Sequence, residues 1–335
     1  MRTPYLLFLG DASEWLAAKT AAGILQWRPE WCLGQLRIGA GSVDLGLPDL
    51  SAAQAAQQGA GTLVIGIANA GGFIPDSWLP VLADALEQGL DLAAGMHTRL
   101  ADIPLLAQTA ARLGRRLHDV RQPRRAFAPG NGLRRSGRRV LTVGTDCAIG
   151  KKYTALAIER ELRARGIPAD FRATGQTGIL IAGDGVAVDA VIADFVSGAA
   201  EWLSPANAPD HWDVIEGQGG LMHPAYAGVT LGLIHGSQPD ALVICHEPGR
   251  RHLAGFPHFP VPDLMQCLQA NLAAARLTNP GVVAAGVSVN TARLPAGEAM
   301  QAIAGLERET GLPCCDPLRH GVGRLVDHLL SVAAQ

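Results

Sequence analysis

Charge is scarce in this chain of 335 residues: only 17% are Asp, Glu, Lys or Arg, and the formal net charge is -2 at pH 7. Disordered chains combine high charge with few apolar residues, so 48% hydrophobic content points instead to a large buried core. The near-neutral balance removes any general electrostatic case for a nucleic-acid partner or an anionic membrane. No stretch approaches eighteen uninterrupted apolar residues, so no transmembrane helix is expected. The six cysteines (Cys32, Cys147, Cys245, Cys267, Cys314, Cys315) show neither CxxC spacing nor a dense pattern, which argues against a zinc cluster or a disulfide scaffold. The opening "MRTPYLLFLGDASEW" has too short an apolar run for a signal-peptide core. The expectation is a soluble cytoplasmic protein with reduced thiols.

What is present is glycine, 40 residues of it, among alternating apolar runs. The length allows two domains. In the first, "YLLFLG" and "GTLVIGIANAGG" read as buried strands, with "LDLAAGMHT" and "RRLHDVR" as shorter ones. "DASEWLAAKTAAGILQW", capped by Asp11 or Ser13, "DSWLPVLADALEQG", closed by Gly89, and "IPLLAQTAARLG" read as helices. Such alternation predicts a mainly parallel sheet with crossover helices, an α/β fold. We place this domain at 1–120, a basic linker at 121–138 and a second α/β domain at 139–335.

The linker crowds Arg121, Arg124, Arg125, Arg134, Arg135, Arg138 and Arg139 among Pro, Gly and Asn. It reads as a solvated connector; the sharper alternative is that some of these arginines reach a phosphate-bearing ligand of the next domain. In that domain "RRVLTVG", "ADFRATG", "WDVIEG", "DALVICHE", "GVVAAGVSVN" and "PCCDP" read as strands. "PDLMQCLQANLAAARL" and "AGEAMQAIAGLERETG" read as helices, as does the segment after Gly150, with Ala155, Ile158 and Leu162 on one face.

"VLTVGTDCAIGKKYTALAIERELRARG" joins a strand, a glycine turn, Gly-Lys and a helix. Backbone N–H groups at such a helix start converge on one point and bind phosphate without side-chain specificity. The cradle comprises Gly144, Thr145, Cys147, Ala148, Ile149, Gly150, Lys151, Lys152 and Tyr153. Lys151 adds a full charge to the bound phosphate. Five residues, Thr145 to Ile149, separate the glycines, one more than in the common nucleotide-binding pattern. Lys152 stands where a nucleotide-hydrolysing loop carries the hydroxyl that ligates Mg²⁺, and a lysine cannot do that. Thr154, about 200° further round the helix, is a poor replacement. The loop therefore suits a metal-free phosphate, such as the diphosphate of coenzyme A, as well as it suits ATP; no metal site is expected.

Asp146 inside the loop is either a base or orienting group, or a turn-stabilising aspartate. Cys147, near a helix N-terminus and two lysines, is either an activated thiol or a small filler. In "ATGQTGILIAGDGVAVDAVIADFVSGAAE", Thr174, Gln176, Thr177, Asp184, Asp189 and Asp194 stand out among apolar neighbours. Asp189 and Asp194 lie on a run that reads as a largely buried helix, which would require a partner for each carboxylate. Strand ends deliver Glu216, followed by Gln218 and His223, then His246, Glu247, Arg250 and Arg251, and last Asn290. Carboxyl ends of parallel strands line the ligand crevice of open α/β sheets, so acids and bases there are candidates for catalysis and arginines for carboxylate recognition.

"GTDCAIGKKYTAL", "RATGQTGILIAGDGVAVDAVIADFVSGAAE", "DHWDVIEGQGGLMHP" and "PDALVICHEP" resemble the DgcN family over nearly the whole chain. That family was long described only as a domain of unknown function and includes D-glutamate N-acetyltransferases. The resemblance implies a Rossmann-like N-terminal domain, a P-loop NTPase-like C-terminal domain, and acetyl transfer from acetyl-CoA to the amine of D-glutamate or a related D-amino acid. It also implies an enolase-type partner enzyme that epimerises the product. The loop is similar, more distantly, to that of dethiobiotin synthetase, with Glu216 matching a strand-end acid and Asn290 a base-contacting asparagine. Lys152 departs from that enzyme's hydroxyl residue.

The mechanism expected is direct attack of the amine on the thioester. Asp146, Glu216, Asp194 or His246 serves as base, and Gln176 or loop N–H groups hold the oxyanion. Arg172, Thr177, Glu247 and Arg250 contact the substrate. The high apolar content favours a homodimer. Two rivals remain open: an Mg-ATP-dependent ligase or kinase, and a non-catalytic coenzyme A or nucleotide sensor.

Overall fold

The computed structural model describes residues 1–15, 17–39 and 41–333. In chain order the first part runs β1 (Tyr5–Gly10), α1 (Lys19–Trp27), β2 (Cys32–Arg37), α2 (Ala52–Gln57), β3 (Thr62–Ile65), α3 (Leu79–Glu87), β4 (Asp91–Ala94), α4 (Pro104–Leu113) and β5 (Leu117–Asp119). Then come β6 (Arg138–Gly144), α5 (Lys151–Ala164), β7 (Ala169–Arg172), α6 (Gln176–Ala182), α7 (Val196–Leu203), β8 (Trp212–Ile215) and α8 (Ala227–Ser237). The chain ends with β9 (Ala241–His246), β10 (His252–Leu253), β11 (Phe256–Pro260), α9 (Leu264–Arg276), β12 (Val283–Val289), α10 (Ala296–Thr310), β13 (Cys314–Cys315) and α11 (Gly323–Ala333).

Two compact units result: Met1–Arg124 with Gly175–Ala190, and Arg125–Thr174 with Val191–Gln335. The first is built on a parallel sheet of order β2-β1-β3-β4-β5. β1 is buried along its whole length, as expected for a strand covered by helices on both faces. The segment around α6, placed by sequence in the second domain, folds with this first unit.

The long helix expected over 11–27 starts only at Lys19, without a side-chain cap; Leu16 lies outside the described residues. Asp11 instead accepts a hydrogen bond from the Trp78 indole at 3.1 Å. Asp189 and Asp194 lie on short 3-10 turns rather than a buried helix, and both are exposed. Asp189 pairs with Arg121 at 3.0 Å. Alanine and valine at every second or third position gave that run an apolar look, although the true helix, α7, starts at Val196.

The second unit carries a parallel sheet of order β13-β12-β9-β6-β8-β7 and a small antiparallel hairpin, β10–β11. β6 lies between β9 and β8, where the strand order reverses, so ligands are expected outside the carboxyl ends of β6 and β9.

Three of the linker arginines do not reach that edge. Arg134, Arg135 and Arg139 cluster at the opposite, amino end of β6, about 20 Å away at ~3.3 Å per strand residue. Arg139 is buried and donates to the carbonyls of Arg135, Ser136 and Pro205; Arg135 donates to those of Ser204 and Gly236. Arg134 pairs with Asp240, and Arg125 lies over the Trp202 ring at 5.1 Å. These side chains satisfy backbone acceptors and ion pairs and are not phosphate ligands.

Candidate active site

The loop after β6 has the geometry of an anion cradle. Ala148 and Gly150 both take positive φ, +53° and +110°, so the chain reverses within five residues and enters α5 with no side-chain cap. No acid occupies the first turn of this 14-residue helix, leaving its positive end uncompensated. The Lys151 ammonium is buried and donates to the carbonyls of Asp146 (2.6 Å) and Gly219 (2.7 Å). Burial pushes its pKa below the ordinary lysine value. Lys152 lies over the Tyr153 ring, its nitrogen 4.6 Å from the centroid. Thr154 is buried, donates to Gly150 O at 3.0 Å and bonds the Ser288 hydroxyl at 2.6 Å, so it supplies no metal ligand to the loop.

Asp146 is a brace. Its Oδ2 accepts from Arg250 (2.7 Å) and from the Ala254 N–H (2.8 Å), and its Oδ1 accepts from the Cys147 N–H (2.6 Å). The carboxylate is fully buried, so the turn-stabilising role is the one built, rather than that of a base. Arg250 also pairs with Glu247, whose other oxygen lies 3.3 Å from Arg293. Both Arg250 and Glu247, expected to touch substrate, are therefore engaged in holding the loop. Cys147 is half-buried and burial raises its thiol pKa, contrary to an activated nucleophile.

His246 is brought to the loop directly. It ends β9, and its Nδ1 lies 3.1 Å from Thr145 Oγ1, while the Thr145 N–H donates to Cys245 O at 3.1 Å. Burial pushes its pKa below the ordinary value of 6.5, with Arg250 adding to the shift and Glu247 opposing it. The imidazole is thus neutral at pH 7 and able to accept a proton. Glu216, beyond the end of β8, is buried and its Oε2 accepts from the Thr174 N–H at 2.9 Å. Next to it Gly217 passes so close to β6 that a Cβ would meet Thr142 O at 1.6 Å. Gly217→Ala is expected to destabilise the fold by about 3 kcal/mol, at the upper end for overpacking. Urea unfolding checks it, and an unchanged midpoint would contradict the close approach.

Other expected site residues have neighbours of their own. Arg172 turns back along the sheet to Asp213 (2.7 Å) and Asp170 (3.2 Å). Gln176 and Thr177 belong to the first unit, with Gln176 packed on Gly95 and the Thr177 hydroxyl 3.4 Å from that of Thr20. Asp194 is exposed. Asn290 Oδ1 accepts from the Ala292 N–H at 3.1 Å, shaping its own turn. Asp146, Cys147 and His223 place ligand-type atoms within 4.8 Å of one another, as do Asp170, His211 and Asp213. In each group an arginine, Arg250 or Arg172, already neutralises the carboxylate a cation would need.

Sequence reasoning missed the Thr145–His246 contact and a row of rings beside the loop, Tyr226, Phe256 and Phe259. The signal available was "AGFPHFPVP", an aromatic run in a chain with only 5% aromatics.

Two parallel α/β units, one with a lysine-bearing phosphate loop at its topological switch point, define a Rossmann-like and P-loop protein. Residues 126–326 match a family described as a domain of unknown function, the DUF1611_C P-loop domain, and residues 38–123 match its DUF1611_N Rossmann-like domain. The chain belongs to the DUF1611 family. It is 52% identical over 332 residues to a D-glutamate N-acetyltransferase of Tritonibacter scottomollicae, covering 99% of this chain and 100% of the relative. It is 48% identical over 329 residues to another of that name from Pseudoalteromonas sp, covering 98% and 99%. A crystal structure of a DUF1611 family protein from Anabaena variabilis superimposes with a TM-score of 0.85 at 36% identity, covering 98% of this chain and all of that one. The expected family is thereby borne out over both domains. Among the described residues no helix is long and apolar enough to cross a membrane.

Proposed function

We propose that this chain is an N-acetyltransferase that acetylates the amine of D-glutamate with acetyl-CoA as donor. Identity near 50% over the full length to two D-glutamate N-acetyltransferases supports the reaction and its substrate. The observation that carries the donor is the loop itself: a phosphate cradle with Lys151 in place and Lys152 where a magnesium-binding hydroxyl would stand. The diphosphate of coenzyme A needs the first and not the second.

In this reading His246 accepts a proton from the substrate ammonium, since only the free amine attacks a thioester. The Thr145 hydroxyl fixes the ring through Nδ1, leaving Nε2 to meet substrate. The amine adds to the thioester carbonyl and the tetrahedral intermediate expels the thiolate, which takes the proton held by the imidazolium, while the second proton of the original ammonium is lost from the amide nitrogen to solvent. Asp146, Glu247 and Arg250 hold the loop in shape. Free cysteines support a reducing, cytoplasmic setting, and the apolar surplus supports a homodimer, which sedimentation measures.

The experiment incubates the protein with acetyl-CoA or ATP and a panel of D-amino acids, following free thiol, ADP and acetylated product. One thiol released per N-acetyl-D-glutamate formed is expected. Mg-dependent ADP formation would support the ligase alternative instead, and tight binding without turnover the sensor. The pH profile offers a second check. Because the His246 pKa is lowered, activity is retained as pH falls through 6.5 and is lost only at the lower folded value. An acid limb of kcat/KM at or above 6.5 would remove His246 as the base.

A further inference from the structure

We propose that the β10–β11 hairpin, together with the rings of His223, Tyr226, Phe256 and Phe259, forms the channel for the pantetheine arm of the acyl donor. The inference rests on the acetyl-CoA reading and assigns the part of the donor that the phosphate loop does not hold.

The hairpin is pinned to the loop, since its turn residue Ala254 donates its N–H to Asp146 Oδ2 at 2.8 Å. From there Phe256 packs edge-on against His223 (centroids 4.8 Å, 85°), which stacks on Tyr226 (4.6 Å, 29°); Phe259 follows 6.4 Å beyond Phe256. The row begins at the loop: His223 Nε2 is 3.9 Å from Asp146 Oδ1, and Gly219 O holds the Lys151 ammonium. It ends in solvent, with Tyr226 47%, Phe259 46% and Met222 42% exposed. Half-exposed rings in contact with one another are costly to leave wet, and a chain with three tyrosines and seven phenylalanines places four-ring packing here.

A donor held at its diphosphate by the loop extends its arm away from the phosphate. The Gly219 side of Lys151 adjoins these rings, since Gly219 packs so close to Tyr226 that a Cβ would meet its carbonyl at 2.5 Å. The arm alternates apolar carbons with two amides and ends in the thioester, which suits an aromatic wall with sparse polar contacts. His223 anchors this wall at the loop. It is buried, its Nδ1 accepts from the Ala225 N–H at 3.1 Å, and its protonated Nε2 has no hydrogen-bond partner. That nitrogen faces Asp146 Oδ1 at 3.9 Å with both side chains wholly buried, which ties the ring row to the loop.

The test compares two ligands by calorimetry on wild type, Phe259→Ala and Tyr226→Leu: coenzyme A and adenosine 3′-phosphate 5′-diphosphate, which lacks the arm. Each variant is expected to lose at least tenfold in affinity for coenzyme A, keep its affinity for the nucleotide half, and show a matching rise in KM for acetyl-CoA. Phe259→Leu replaces Phe259→Ala if the latter unfolds. Equal loss for both ligands, or no loss for either, overturns the channel. So does a changed sedimentation coefficient with unchanged ligand affinity, which would mean that a second copy covers the rings. Wild type that binds neither ligand sinks the acetyl-CoA reading itself, an outcome distinct from the variant results.

Discussion

Lys151→Ala is expected to weaken acetyl-CoA binding about 100-fold while the protein stays folded. Hydrogen bonds to charged groups contribute ~1.5–3 kcal/mol each, and 1.36 kcal/mol is tenfold, so losing the ammonium from a bound diphosphate costs about two decades. That ammonium is already in place, held between the carbonyls of Asp146 and Gly219 at 2.6 and 2.7 Å. It is therefore preorganised, and binding requires only that it exchange carbonyl partners for phosphate oxygens. Chelating magnesium is expected to leave wild-type affinity unchanged, because Lys152 and the buried Thr154 give the loop no metal-binding hydroxyl. Titration of both proteins with acetyl-CoA, with and without a chelator, checks both statements. Wild-type affinity in Lys151→Ala would place the donor elsewhere.

The loop was readable because its signal is local: an apolar strand, glycines, Gly-Lys and a helix lie within one continuous stretch. The same holds for most strands of both units, which are short apolar runs bounded by turns. β2, "CLGQLR", escaped because an edge strand with one covered face mixes polar and apolar residues. α2 was also missed, although Ser51 and Gln54 form a full capping box in front of two alanine pairs.

Pairing between distant residues was the part sequence could not supply. Arg172 and Asp213 are 41 positions apart, and Arg250 and Asp146 are 104. Nothing local distinguishes an arginine waiting for a substrate carboxylate from one already bound to a buried aspartate. Arg135 and Arg139 were misjudged for the same reason, since some of the carbonyls they satisfy, those of Ser204 and Gly236, lie 65 to 101 residues away. The place of His246 at the end of β9 was legible because a strand-end position in an open α/β sheet is a statement about topology, which periodicity does reveal.

Arg250→Ala separates these two roles most sharply, and it is expected to destabilise the second unit by about 4 kcal/mol. Removing one partner of a buried ion pair leaves the other charge uncompensated, which costs ~3–5 kcal/mol. Asp146 is fully buried, and without the guanidinium it keeps only the N–H groups of Cys147 and Ala254. At roughly 2–4 °C per kcal/mol for a domain of this size, the melting temperature should fall by about 10 °C. The bare carboxylate would also face the bound diphosphate, so donor affinity should drop together with stability. Adding Asp146→Asn to Arg250→Ala removes the stranded charge and is expected to recover part of both losses, since residues in one network do not act additively. A substrate-binding Arg250 predicts the opposite pattern. Melting would then shift by less than about 1 °C, as for surface substitutions, KM for D-glutamate alone would rise, and Asp146→Asn would restore nothing. Thermal melts of the three variants, with KM for each substrate, decide between a brace for the phosphate loop and a hand for the substrate.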